Sequence, residues 1–101
     1  MGQPLNMMPI PAAGRAVVTG AVSGFGREVC LQLAARGWEL AAVDLAAADQ
    51  ADWSELAAEV PAAGGRLLPF PFDVRDAVGW EDLSSQLETR WPAVDLVVQA
   101  A

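Results

Sequence analysis

The chain has 101 residues, enough for one small domain, and 53% of them are hydrophobic, too many for a disordered polymer. Its formal net charge is −7 and its six basic residues are scattered arginines, so the clustered cations that a nucleic-acid backbone requires are missing. No apolar run approaches the roughly 20 residues that span a bilayer. One cysteine leaves no intrachain disulfide, and with no histidine that cysteine is the only soft metal ligand. These features predict a soluble protein that uses no nucleic acid, membrane or metal, and they fit the cytoplasm.

Residues 1–14 carry Pro4, Pro9 and Pro11 without periodicity and read as a flexible lead-in. Ala16-Val17-Val18 then forms a first strand that runs into Thr19-Gly20-Ala21-Val22-Ser23-Gly24-Phe25-Gly26. Gly20, Gly24 and Gly26 fall where a strand must turn tightly, where backbone must approach a phosphate, and where a helix must pack closely on a sheet. Val29, Cys30, Leu33 and Ala34 follow at helical spacing, up to a stop at Arg36-Gly37. The glycine-rich loop therefore opens a helix, and the amides around Ser23, Gly24, Phe25 and Gly26 lie at its positive end, where a diphosphate is favoured. The Ser23 hydroxyl adds a donor. Cys30 falls on the inward stripe and reads as packing.

Residues 39–45 are a short, mostly apolar run that reads as a second strand buried on both faces. Asp44 ends it roughly 20 residues beyond the loop, where an acidic side chain bonds the ribose hydroxyls of a dinucleotide. The acidic, alanine-rich segment 46–52 leads into Trp53, Leu56, Ala57 and Val60, a second helix with Asp52 in its first turn and a stop at Pro61 and Gly64-Gly65. A third strand spans 67–73, and its prolines Pro69 and Pro71 confine it to a sheet edge. Trp80, Leu83, Leu87 and Trp91 mark a third helix ending before Pro92, with the tryptophans in the core, and 94–98 supplies a fourth strand.

The doubly wound strand order 3-2-1-4 places the proline-bearing strand at an edge, and right-handed crossovers put the first two helices on one face and the third on the other. The ligand crevice then lies between strands one and four, with Val17, Val18 and Leu45 as walls. Strand four is left as an apolar edge, which predicts a marginal monomer open to self-association or to pairing with a larger relative.

These residues resemble the amino-terminal part of the short-chain dehydrogenase/reductase family from about Arg15 to the last residue. The family's loop reads Thr-Gly-x-x-x-Gly-x-Gly, which Thr19, Gly20, Gly24 and Gly26 fill. An acidic residue ending the second strand marks its NAD-preferring members, and Asp44 matches. An Asp-Val or Asp-Leu pair after the third strand touches the adenine, and Asp73-Val74 stand there. The Asn-Asn-Ala-Gly of strand four aligns with Val98-Gln99-Ala100-Ala101, where Ala100 alone agrees and Gln99 offers an amide near the cofactor.

The resemblance implies an α/β fold of the Rossmann kind over residues 15–101, a parallel sheet with helices on both faces, truncated to about four strands and three helices. It also implies an NAD-dependent oxidoreductase represented by its cofactor-binding part. The family's catalytic Tyr-x-x-x-Lys pair has no counterpart, because the chain contains no tyrosine and no lysine. Arginine stays protonated and cannot take over as acid or base, so this chain by itself is expected to be inactive and to carry no catalytic residue. Asp44 disfavours NADP, since a 2′-phosphate beside a carboxylate is repelled by about 4 kcal/mol per charge at 4 Å for an effective dielectric of about 20. NAD is thus the expected cofactor. A non-catalytic dinucleotide-binding module and an interaction protein that docks on a full-length relative are the alternatives.

Overall fold

The computed structural model describes residues 13–45 and 50–101. The expected lead-in 1–14 and the acidic segment 46–52 therefore lie largely outside the described residues. In chain order the elements are β1 (Arg15–Thr19), α1 (Gly24–Ala34), β2 (Glu39–Asp44), α2 (Gln50–Ala63), β3 (Arg66–Pro71), α3 (Ala77–Arg90) and β4 (Leu96–Gln99). The strands form one parallel sheet in the order β3-β2-β1-β4. Thr19 stands opposite both Val43 and Gln99, so the carboxyl ends of β2, β1 and β4 lie nearly level. Chain direction across the sheet reverses between β1 and β4, and that switch point opens the crevice.

Alternation along the strands separates two cores. Ala16, Val18, Leu40 and Ala42 turn to one face and pack with Cys30, Leu33 and Ala34 of α1 and Leu56 and Val60 of α2. Val17, Ala41, Val43 and Phe70 turn to the other and meet Leu83 and Leu87 of α3 and Trp91 just beyond it. The helix placement is the one that right-handed crossovers dictate. Each buried Val or Leu contributes about 1.5–3 kcal/mol, and β1 and β2, apolar on both faces, supply Val17, Val18, Leu40 and Val43. Arg27 of α1 adds a polar tie to α2, pairing with Glu59 and, at 3.6 Å, with Glu55.

Helix ends depart in detail from the sequence reading. α1 stops at Ala34, and the chain then closes through Gly37 N–H to Ala34 O at 2.9 Å and Trp38 N–H to Leu33 O at 3.2 Å. This is the paired closure that a glycine after the helix makes easy. α2 does not stop at Pro61 but runs through it to Ala63. The proline removes one donor in the last turn, which the helix survives. Termination comes from Gly64 and Gly65, whose N–H groups bond Pro61 O and Val60 O, each at 3.0 Å.

β3 is an edge strand, as its prolines require. Arg66 N–H donates to Trp38 O and Phe72 N–H to Asp44 O, so even-numbered residues of this strand face β2. Pro69 and Pro71 are odd-numbered, and no ladder bond is lost at either. β3 ends at Pro71 and β4 begins at Leu96, both shorter than their sequence patterns suggest. Ahead of β4, Asp95 is used as a clasp: its N–H donates to Arg15 O at 2.8 Å and its carboxylate accepts from Arg15 N–H at 2.9 Å.

Candidate functional site

The carboxyl end of β1 is shaped by backbone contacts that leave no space for side chains. Gly20 has φ +67°, and a Cβ there would lie 2.9 Å from the Ala100 carbonyl carbon and the Ala101 nitrogen. At Gly26 a Cβ would lie 2.1 Å from Gly20 O, so glycine is required for α1 to approach β1 this closely. Gly24, at φ +58°, faces open space at the start of the helix. Ser23 is the N-cap, in extended conformation with no side-chain capping bond. Ser23, Gly24 and Phe25 form an exposed rim, and the first-turn amides behind them are those an α-helix leaves without intrahelical acceptors. This is the geometry of an anion site.

Thr19 joins β1 to β4 at the floor of the crevice. Its hydroxyl donates to Val98 O at 3.4 Å and accepts from Ala100 N–H at 3.2 Å. The same N–H also reaches Thr19 O at 3.3 Å. Thr19, Gln99, Val74, Val97, Trp80 and Ala101 line a cavity of about 250 Å³.

Asp44 is anchored from three sides. Its Oδ2 accepts from Val22 N–H at 3.1 Å, its Oδ1 from Leu45 N–H at 2.8 Å, and its carbonyl from Phe72 N–H at 2.8 Å. One carboxylate thus connects the loop after β1 to the end of β2. The Trp53 indole fixes the neighbouring Leu45 by donating to its carbonyl at 3.2 Å. Asp44, Leu45, Phe72, Asp73, Val74 and Ala101 surround a second cavity of about 230 Å³.

The turn after β3 is held by its own polar groups. Arg75 donates from Nη2 to Asp73 Oδ2 at 2.6 Å, from Nε to Oδ1 at 3.0 Å and from its backbone N–H to Oδ1 at 2.9 Å. These bonds hold the Asp73 carboxyl down at about 2 and raise the Arg75 guanidinium in turn. Asp76 caps α3 by accepting from Val78 N–H at 3.0 Å.

The structure thus brings Asp44, Leu45, Asp73 and Val74 to one cavity and Thr19, Val74 and Gln99 to its neighbour. Gly20, Ser23, Gly24, Phe25 and Gly26 border the site at the helix start and line neither cavity, while Ala100 acts through its backbone. Of the three expected walls, Leu45 lines a cavity and Val17 and Val18 line neither. Val18 is fully buried against α1 because strand alternation turns it away from the crevice, and Val17 faces α3. Phe72 and Trp80 line the site as well, in addition to the residues the motifs name. Phe72 could have been found from its place beside Asp73, whereas the helical stripe gave Trp80 a sufficient explanation as core.

Cys30 offers no chemistry, since burial pushes its thiol up to about 12. Among the described residues no cluster of three or more metal-ligating side chains occurs, and no helix is long and apolar enough to cross a membrane.

The family model for short chain dehydrogenases matches residues 14–101. The probable oxidoreductase EphD of Mycobacterium tuberculosis is 38% identical over 84 residues, which are 83% of this chain and 14% of that protein. Carveol dehydrogenase from Mycobacterium avium, solved in complex with NAD, superposes with a TM-score of 0.77 at 28% identity, covering 89% of this chain and 36% of that one. L-sorbose reductase from Gluconobacter frateurii, complexed with NADPH and L-sorbose, shares the fold with a TM-score of 0.72 at 22% identity, over 85% of this chain and 32% of the reductase.

The chain belongs to the short-chain dehydrogenase/reductase family of oxidoreductases, and its sheet is the nucleotide-binding sheet of a Rossmann-like fold. It spans about a third or less of the length of these relatives.

Proposed function

We propose that this chain is the cofactor-binding part of an NAD-dependent oxidoreductase, with residues 15–101 as the binding domain. The observation that carries the reading is Asp44, a carboxylate fixed by two backbone amides at the mouth of a cavity beside the glycine loop. In this reading the first-turn amides of α1 receive the pyrophosphate, with help from the Ser23 hydroxyl. Asp44 takes the adenosine ribose hydroxyls, Leu45, Asp73 and Val74 flank the adenine, and Gln99 and Ala100 lie toward the nicotinamide. The dinucleotide supplies the hydride-transfer chemistry when bound. These 101 residues contain no tyrosine and no lysine to move the accompanying proton, so on this reading binding is their contribution and catalysis requires further groups.

The preference for NAD over NADP rests on charge. A 2′-phosphate would meet the Asp44 carboxylate, and Arg75, the arginine that follows the Asp73-Val74 pair, is engaged by Asp73. The Asp44→Ala variant is expected to weaken NAD by about tenfold, one charge-assisted hydrogen-bond set, and to narrow the gap to NADP. An unchanged preference in that variant removes Asp44 from the site.

A second reading is supported by the exposed apolar residues of β4, which suit pairing with another copy or with a larger relative. Sedimentation over a range of concentrations tests it. Association that Val97→Lys abolishes is the expected result, and association indifferent to that change removes β4 from the interface.

A further inference from the structure

We infer that Trp80 is a positioning residue for the base-binding wall formed by residues 72–74, and that it sets how sharply the site separates adenine from guanine. This inference rests on the dinucleotide reading above and goes beyond it in naming what holds the base subsite in shape.

Trp80 lies in the first turns of α3 and touches the wall on both sides of Asp73. Its indole Nε1–H donates to Val74 O at 2.8 Å. Its ring meets Phe72 edge-on, with centroids 5.2 Å apart and an interplanar angle of 84°. Such aromatic pairs have a preferred geometry and resist sliding. Gly79 makes the approach possible, because a Cβ there would lie 2.3 Å from Phe72 Cδ2. The far side of the turn is closed by Asp76 N–H, which donates to Asp73 O at 2.8 Å.

The gripped residues are the ones that matter for a base. Phe72, Asp73 and Val74 line the cavity that Asp44 and Leu45 complete, and the Trp80 ring itself lines the adjoining cavity with Val74 and Thr19. Core packing explains only part of this arrangement, because Trp80 packs at the edge of the α3-side core. Leu83 and Leu87 on the same stripe are buried in the sheet-facing core, whereas Trp80 is half-buried and uses its donor on the turn. An indole has one donor and no acceptor, so the bond to Val74 O defines the orientation of the ring.

Asp73, held in place by Arg75, is an acceptor-only group with lone pairs left over, so it can take the amino edge of adenine and has no proton to offer the carbonyl oxygen that guanine presents at the same position. Discrimination of this kind depends on close and fixed placement. Loosening the wall therefore reduces base selectivity more than it reduces diphosphate binding, which belongs to the loop before α1.

The test is a calorimetric titration of the chain, of Trp80→Phe and of Gly79→Ala with ADP and with GDP. The unaltered chain is expected to favour ADP by about tenfold or more, the range in which one correctly placed polar contact discriminates. Trp80→Phe keeps a ring but loses the donor, and the ratio is expected to fall by roughly threefold or more, the worth of one hydrogen bond. Gly79→Ala keeps the indole but displaces Phe72, and the ratio is expected to fall here too. A lower folded fraction weakens both nucleotides in equal proportion and leaves the ratio where it was, and Gly79→Ala decides if Trp80→Phe does not fold. An unchanged ratio in the folded variants, with ADP bound by the unaltered chain, overturns the role of Trp80 alone. Failure of the unaltered chain to bind either nucleotide overturns the dinucleotide reading beneath it.

Discussion

β2 and β4 flank the same central strand in the same parallel sense, yet one is the most buried strand of the sheet and the other among the most exposed. Leu40, Ala41, Ala42 and Val43 of β2 are each 0% exposed, whereas Leu96 and Val97 of β4 are 38% and 55% exposed. Their compositions are alike. What differs is cover: β2 has α1 and α2 on one face, α3 on the other and β3 at its side, while α3 crosses the sheet and leaves a groove of about 360 Å³ between itself and β4, lined by residues that include Val17, Leu87, Trp91 and Val97. Apolar sequence reports the capacity to be buried; neighbours decide whether it happens.

The comparison predicts unequal costs for similar changes. Leu40→Ala is expected to destabilise by about 2–5 kcal/mol, the usual range for a core leucine, read from denaturant melts. Gly26→Ala sets a methyl against the Gly20 carbonyl and is expected to cost about 1–3 kcal/mol while removing nucleotide binding, because α1 must move away from the loop. Val97→Lys, at the exposed edge, is expected to stay within about 0.5 kcal/mol. A cost at Val97 as large as that at Leu40 would mean that β4 is already covered in solution, and the contrast would fail.

Two smaller effects sharpen the same division. Cys30 lies in the covered half with its thiol held near 12, so it is expected to resist thiol reagents at neutral pH until the chain unfolds, when labelling becomes fast. Asp73 lies in the open half. Its folded carboxyl sits at about 2, below the ordinary value of about 4. The unfolded chain therefore takes up its proton first as pH falls. The stabilisation is complete above about pH 4 and is lost toward pH 2. It is small and salt-sensitive, since the Arg75 side chain is 86% exposed. A carboxylate NMR titration is expected to show Arg75→Ala returning the midpoint toward the ordinary value.

Much of this was legible in the residues. Glycine at 26 answers to the backbone of Gly20, which is local in sequence, whereas glycine at 20 answers to Ala100 and Ala101 and is named only by its place in the loop pattern; the prolines of β3 name an edge without reference to any partner. Strand order and helix faces followed because handedness leaves few choices. The misreadings share a cause. The sequence puts the stop at Pro61 and Gly64-Gly65 together; the helix runs through Pro61, where one bond of its last turn is lost, and ends at the glycines. Val18 was placed at the crevice, but a strand buried on both faces gives no pattern from which to tell its faces apart. Helical spacing assigns Trp80 to the core, since it cannot reveal a side chain that reaches back over its own N-terminal turn to Val74. The capture of Asp73 by Arg75 depends on turn geometry, to which residue order is a poor guide.

On the proposed function these residues form a site that prefers NAD to NADP, and the direct measurement is a calorimetric titration of the chain with each dinucleotide, paired with melts in their presence. Saturable NAD binding with a raised melting temperature, and NADP weaker by about tenfold or more as one unfavourable charge contact requires, is the result expected. Equal affinity for the two, or no NAD binding by a chain that melts cooperatively, would contradict the account.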